Sequence, residues 1–181
     1  ATALTYHPAE SRHFAGSLPS VPYQHALRLS DLDAGRDYCY AVSQGEQRIT
    51  GQFRTVGTVD DAVRFIVYGD SETEPESTDK HALWSLPGAD VDARRYLVDQ
   101  TTGYAQNIAV MLRRQPDFVA IAGDLVESGG EQRDWDEFWR HNSRLAASIP
   151  LVPTPGNHEY YGGPGELGGY SNAATRRAIA K

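Results

Sequence analysis

The sequence predicts two units in tandem, a β-sandwich fragment over residues 1–57 and an α/β unit over residues 62–181. Three observations carry this prediction. Short runs with period-two alternation and intervening turn signals fill the first unit; a strand, helix, strand, helix, strand order follows; and each of the three later strand-like runs ends in glycine and a polar residue.

In the first unit, strands are expected over residues 4–7, 23–29, 38–42 and 49–55, separated by turns at Asp33-Ala34-Gly35 and Gln44-Gly45-Glu46. Alternation in His25-Ala26-Leu27-Arg28-Leu29 and Tyr38-Cys39-Tyr40-Ala41-Val42 predicts one buried face per strand. Gly57-Thr58-Val59-Asp60-Asp61 is short, polar and aperiodic, as a linker would be. Arg64-Phe65-Ile66-Val67-Tyr68 is then a continuous apolar run of the kind that strands covered on both faces carry. A polar insertion occupies 71–90. Ala93, Leu97, Tyr104, Ile108, Met111 and Leu112 fall at helical spacing and predict a helix over about 91–115. Phe118-Val119-Ala120-Ile121-Ala122 forms a second covered strand, and a helix over about 131–148 turns Trp135, Phe138, Trp139, Leu145 and Ala146 to the core. A third strand-like run spans 150–155. Ser171-Asn172 has the composition of a helix cap, and the chain is expected to be cut soon after it.

Composition narrows the function. Of 181 residues, 40% are hydrophobic and 23% charged, so the chain is expected to fold and to lack a membrane span. A net charge of −7 without a Lys/Arg run argues against nucleic acid and anionic membranes as partners. The single Cys39 excludes an internal disulfide and cysteine-based zinc frameworks.

Ligands of open α/β sheets sit beyond the carboxyl ends of the strands. Gly69-Asp70, Gly123-Asp124 and Gly156-Asn157-His158-Glu159 would therefore gather at one edge, offering oxygen and nitrogen donors for hard-to-borderline metals. One Gly-Asp after a strand is usually a turn. Two in register together with Gly-Asn-His-Glu are far more specific.

These motifs, with their flanks Phe65-Ile66-Val67-Tyr68-Gly69-Asp70, Ala122-Gly123-Asp124-Leu125-Val126 and Pro155-Gly156-Asn157-His158-Glu159, resemble the first three motifs of the calcineurin-like metallophosphoesterases. Leu32, Gly35 and Tyr38, in the order Leu-x-x-Gly-x-x-Tyr, resemble the tyrosine corner of a fibronectin type III domain, a sandwich of about seven strands and 100 residues. The first strands of such a domain are expected to be missing here. The pairing points to the purple acid phosphatase branch. The resemblance implies an incomplete αββα sandwich after the β unit, an extracellular or periplasmic location, and a small phosphate monoester, or a diester, as substrate.

It further implies two divalent or trivalent metal ions, iron, zinc or manganese, with Asp70 on the first, Asp124 bridging both and Asn157 on the second. A water between them would be acidified for in-line attack on phosphorus. His158 would stabilise phosphoryl charge or protonate the leaving oxygen, as imidazole can near neutral pH. Two positions depart from the pattern. Glu127 stands where purple acid phosphatases have the tyrosine that colours their ferric site, and Glu72 where the broader family often has histidine. Either glutamate can supply an oxygen ligand or remain solvated.

The family's later motifs, which supply three histidine ligands, would lie beyond Lys181, and His7, His13, His25, His81 and His141 do not replace them. His141 is expected to be exposed or at a helix end. The 181-residue chain by itself is expected to be inactive or nearly so. Tyr160, Tyr161 and the glycines from Gly162 to Gly169 form an expected mobile rim, and the acidic insertion disfavours polyanionic substrates. The competing class is a non-catalytic extracellular binding protein with a degenerate phosphoesterase site.

Overall fold

The computed structural model describes residues 1–6, 8, 10, 14, 20–73 and 100–161. The insertion from 74 onward, the first part of the expected first helix, His7, His13, His81 and everything after Tyr161 lie outside the described residues.

Two antiparallel ladders come first. Strand β1 (Thr2–Ala3) pairs with β2 (Tyr23–Gln24), and β3 (Asp37–Gln44) pairs with β4 (Gln47–Arg54). The second is a hairpin in which Gln44 faces Gln47 across Gly45-Glu46, with Gly45 at φ 58°, a conformation that glycine adopts without a Cβ clash. The backbone N–H of Asp33 donates to the Tyr38 hydroxyl at 2.8 Å, inside the Leu-x-x-Gly-x-x-Tyr segment. A closed sandwich is not formed among the described residues. The expected strand over 23–29 shrinks to two residues, and Leu27 and Leu29 are 86% and 54% exposed, because no second layer covers them.

The second unit has the order β5 (Phe65–Tyr68), α1 (Gln100–Arg114), β6 (Phe118–Ala122), α2 (Gln132–Ala146) and β7 (Leu151–Thr154). Its sheet is parallel, in the order β5-β6-β7, with Tyr68 opposite Ile121 and Ala122 opposite Thr154. The three strand ends therefore lie side by side. Helix α1 ends where Gln115 turns to φ 47° ahead of Pro116, as a helix stop should.

Both helices pack on one face. Tyr104, Ile108 and Met111 of α1 share a cluster with Val119, Leu145 and Ile149, flanked by Ile66, Tyr68 and Leu151. Phe138 of α2 joins Ile121, Leu125 and Val126. Among the described residues the opposite face is open, with Phe65 and Val67 each 56% exposed and Val152 51% exposed, so the expected cover on both faces is not found there. Right-handed crossovers that step twice in the same direction put both helices on the same side. Along α2, Trp139 is half exposed and Ala146 exposed, whereas Phe138 and Leu145 are buried. Each of the two misplaced residues follows a buried one and is rotated about 100° from it. His141, expected at the surface, has its ring 5% exposed between Glu137, at 2.9 Å, and the edge of Tyr104.

A closed polar ring anchors the tip of β5. Asn142, fully buried, donates through Nδ2 to the Tyr104 hydroxyl at 2.9 Å and to the Phe138 carbonyl at 2.9 Å. The Tyr104 and Tyr68 hydroxyls lie 2.9 Å apart, and Tyr68 donates to Asn142 Oδ1 at 3.3 Å. Tyr68 immediately precedes Gly69-Asp70. Asn142→Leu leaves the two hydroxyls only each other as partners and should lower stability by about 1–3 kcal/mol, measured by urea denaturation; an unchanged midpoint would show that Asn142 contributes nothing to the ring.

Candidate functional site

The motif loops leave the sheet in matching conformations. Asp70 and Asp124, each two residues past its strand, adopt φ 52° and 50°, in the left-handed region where Asp is tolerated better than bulkier residues. The loops are laced together by backbone, Asp70 N–H donating to the Gly123 carbonyl at 3.3 Å and Ser71 N–H to that of Asp124 at 2.9 Å. Gly123 sits at φ 92°, and a Cβ there would lie 2.8 Å from the Gly156 Cα. A Cβ on Gly156 would strike the Asp124 Oδ1. Both glycines are therefore required by close approach, not merely permitted by a turn.

Glu159 binds the second and third loops into one body. Its side chain is buried at 3% exposure, and its carboxylate accepts four backbone N–H groups: Gly156 at 2.6 Å, Leu125 at 2.7 Å, Asp124 at 3.1 Å and Val126 at 3.2 Å. Bonds of this kind to an ionised acceptor are short and strong. Sequence reasoning included Glu159 in a motif but gave it no task; its position three residues after Gly156, at the foot of a short 3₁₀ turn over His158–Tyr160, was the available signal.

The Asp124 carboxylate accepts the His158 backbone N–H through Oδ1 at 3.0 Å. The His158 ring donates from Nδ1 to the Glu127 carbonyl at 2.8 Å, which leaves Nε2 as its second nitrogen. Burial opposes protonation of this imidazole, yet the Glu127 carbonyl and the carboxylates of Glu127, Asp124 and Glu72 outweigh it and hold its pKa above the usual value. Burial, reinforced by Asp124 and Glu127, raises the Glu72 carboxyl, against its own backbone N–H and the His158 ring. Asn157 is exposed and donates from Nδ2 to the Tyr161 hydroxyl at 3.4 Å. Asp70 is exposed.

Asp70, Asp124, Asn157 and His158 thus sit on three adjacent loops. Among the described residues, however, the His, Asp and Glu donor atoms that converge are those of Glu72, Glu127 and His158, all within 4.8 Å of one another, and neither Asp70 nor Asp124 belongs to that group. His25 and His141 lie in other parts of the chain, on the first unit and on α2.

The loop after Asp124 is fastened to α2. Asp134 accepts the Ser128 N–H at 2.9 Å, Trp135 Nε1 donates to the Gly129 carbonyl at 2.9 Å, and Gly129 N–H donates to the His158 carbonyl at 3.0 Å. Glu10, fully buried, takes over the N-terminal capping of α2, accepting Gln132 N–H at 3.0 Å and Arg133 N–H at 3.2 Å. Nothing in the spacing of the first unit signals this contact, which joins residues 122 positions apart.

A family model described as calcineurin-like phosphoesterase matches residues 61–180. Two curated proteins of Mycobacterium tuberculosis, uncharacterized protein MT2654 of strain CDC 1551 and uncharacterized protein Rv2577 of strain H37Rv, are each 32% identical over 168 residues, covering 88% of this chain and 29% of their own length. The chain spans less than a third of these relatives. Among solved structures, the purple acid phosphatase PPD1 from yellow lupin (Lupinus luteus) seeds has a similar fold, with a TM-score of 0.52 at 17% identity over 82% of this chain and 25% of that one.

Burial pushes the Asp134 carboxyl up to about 7, with Glu131 and Glu127 adding to it and Arg133 and the Ser128 N–H opposing. The unfolded carboxyl titrates near 3.8, so protonation favours the folded state. This contribution is complete below about pH 4 and is lost as pH rises through about 7. Asp134→Asn keeps an acceptor for Ser128 and should flatten the fall in melting temperature across that window; a variant with the wild-type slope would refute the assignment.

Proposed function

Because the chain belongs to the calcineurin-like phosphoesterase family, we propose that it carries part of the active site of a metal-dependent phosphate-ester hydrolase, acting on small monoesters or diesters through a binuclear centre. The observation that carries this reading is the lacing of three strand-end loops into one edge, with Asp124 held by the His158 N–H and by the Glu159 cradle next to it. The donor set fits the metals of such a centre. Asp70, Asp124 and the Asn157 amide offer oxygen to iron, zinc or manganese, and the buried Glu72 Oε2 has no hydrogen-bond partner among the described residues.

Asp70 would hold the first ion, Asp124 would bridge the pair and Asn157 would hold the second. When bound, the ions supply Lewis-acid polarisation of the phosphoryl group and acidification of a water. Asp124 enters this role with its carboxylate already oriented by a backbone donor, which limits the reorganisation needed on loading. The His158 ring, fixed through Nδ1, keeps Nε2 for a phosphoryl oxygen, and the carboxylates around it favour its cationic form. The β unit is read as a fibronectin type III-like accessory, supported by the Tyr38 tie, and the location as extracellular or periplasmic.

In the natural protein at full length, hydrolysis of a chromogenic aryl phosphate should require an added divalent metal and fall at least about 100-fold in Asp124→Asn, whose amide cannot bridge two cations as a carboxylate does. Retention of most turnover would overturn the bridging role. Metal binding without any turnover would favour the binding-protein reading.

A further inference from the structure

Glu72 follows Ser71, whose N–H is bonded to the Asp124 carbonyl, and Glu127 is three residues beyond Asp124. The two glutamates come from different loops, yet their carboxylate oxygens and a ring nitrogen of His158 lie within 4.8 Å of one another, a spacing that one cation can bridge. Two further features lie beside this convergence. The Oε2 of Glu72 is shut off from solvent with no hydrogen-bond partner among the described residues, and the neighbouring Ser71 is 8% exposed with its Oγ equally unpartnered. Buried oxygens in native proteins are as a rule satisfied, and a bound water or ion is among the few reasons for an exception. The basic group already at hand is the His158 ring, 3.7 Å from Glu127 Oε2, and its Nδ1 is committed to the Glu127 carbonyl.

We propose that Glu72 and Glu127 are metal ligands of this chain, closing on a hard divalent cation beside Asp124 with the His158 imidazole at its edge. The inference rests on the phosphoesterase reading and deepens it, because neither glutamate belongs to the ligands Asp70, Asp124 and Asn157 that the reading assigns. Adding two carboxylates makes the centre richer in oxygen, which suits manganese or magnesium better than the softer ions that imidazole and thiolate sites select.

The test uses Mn²⁺ binding to the 181-residue chain, followed by loss of the free-ion EPR signal and by calorimetry, with no catalytic readout. Glu72→Gln and Glu127→Gln should each weaken Mn²⁺ binding by at least about tenfold, and Asp124→Asn should weaken it as well. Circular dichroism reports whether each variant is folded, and Glu72→Asp and Glu127→Asp, which keep the charge but shorten the reach, serve where a glutamine variant fails to fold. Wild-type affinity in both glutamate variants, with binding impaired in Asp124→Asn, would overturn the inference and leave the phosphoesterase reading standing. A loss at only one glutamate would overturn the paired assignment. Absence of Mn²⁺ binding by the wild-type chain would overturn the inference, whereas the phosphoesterase reading stands or falls with the metal-dependent turnover of the natural protein at full length.

Discussion

The site depends on one buried carboxylate. Glu159 gathers the N–H groups of Asp124, Leu125, Val126 and Gly156, so that two loops from neighbouring strand ends close around a single negative charge. The first three of those N–H groups belong to a tight turn with Asp124 in the left-handed region, where no helix or strand could satisfy them. The charge compensates the strain and the buried donors together. Everything that follows in the site is placed by it: Asp124 next to Gly156, the His158 N–H on Asp124, and the His158 ring against Glu127.

A second constraint comes from topology. Parallel strands stepping in one direction put α1 and α2 on one face, and the buried face carries Ile66, Val119, Ile121 and Leu151 with the Tyr68, Tyr104 and Asn142 ring among them. That ring holds the end of β5, as Glu159 holds the ends of β6 and β7. Core packing therefore sets where the three loops emerge, and local polar bonding sets how their side chains turn.

The α/β order, both helices and the three strand ends were legible because period and glycine placement are local properties of the sequence. Side-chain facing was less so. Continuous apolar runs such as Phe65-Ile66-Val67-Tyr68 read as covered twice, but periodicity cannot tell a strand covered on both faces from one with a bare face among the described residues. The packing of His141 against Tyr104 and the capping of α2 by Glu10 depend on contacts between distant segments, which spacing does not encode. Asp70, Asp124, Asn157 and His158 were singled out through their motif; the cradle at Glu159 was not, because a carboxylate whose partners are all backbone leaves no complementary residue type in the sequence.

Amide hydrogen exchange on Glu159→Gln tests the central claim most directly. Half of the substituted side chain is a donor facing donors, so the amides of Asp124, Leu125, Val126 and Gly156 should lose protection together while Ile108 and Met111 in α1 retain theirs. Unchanged protection at those four amides would contradict the account, since the loops would then be held by something other than that carboxylate.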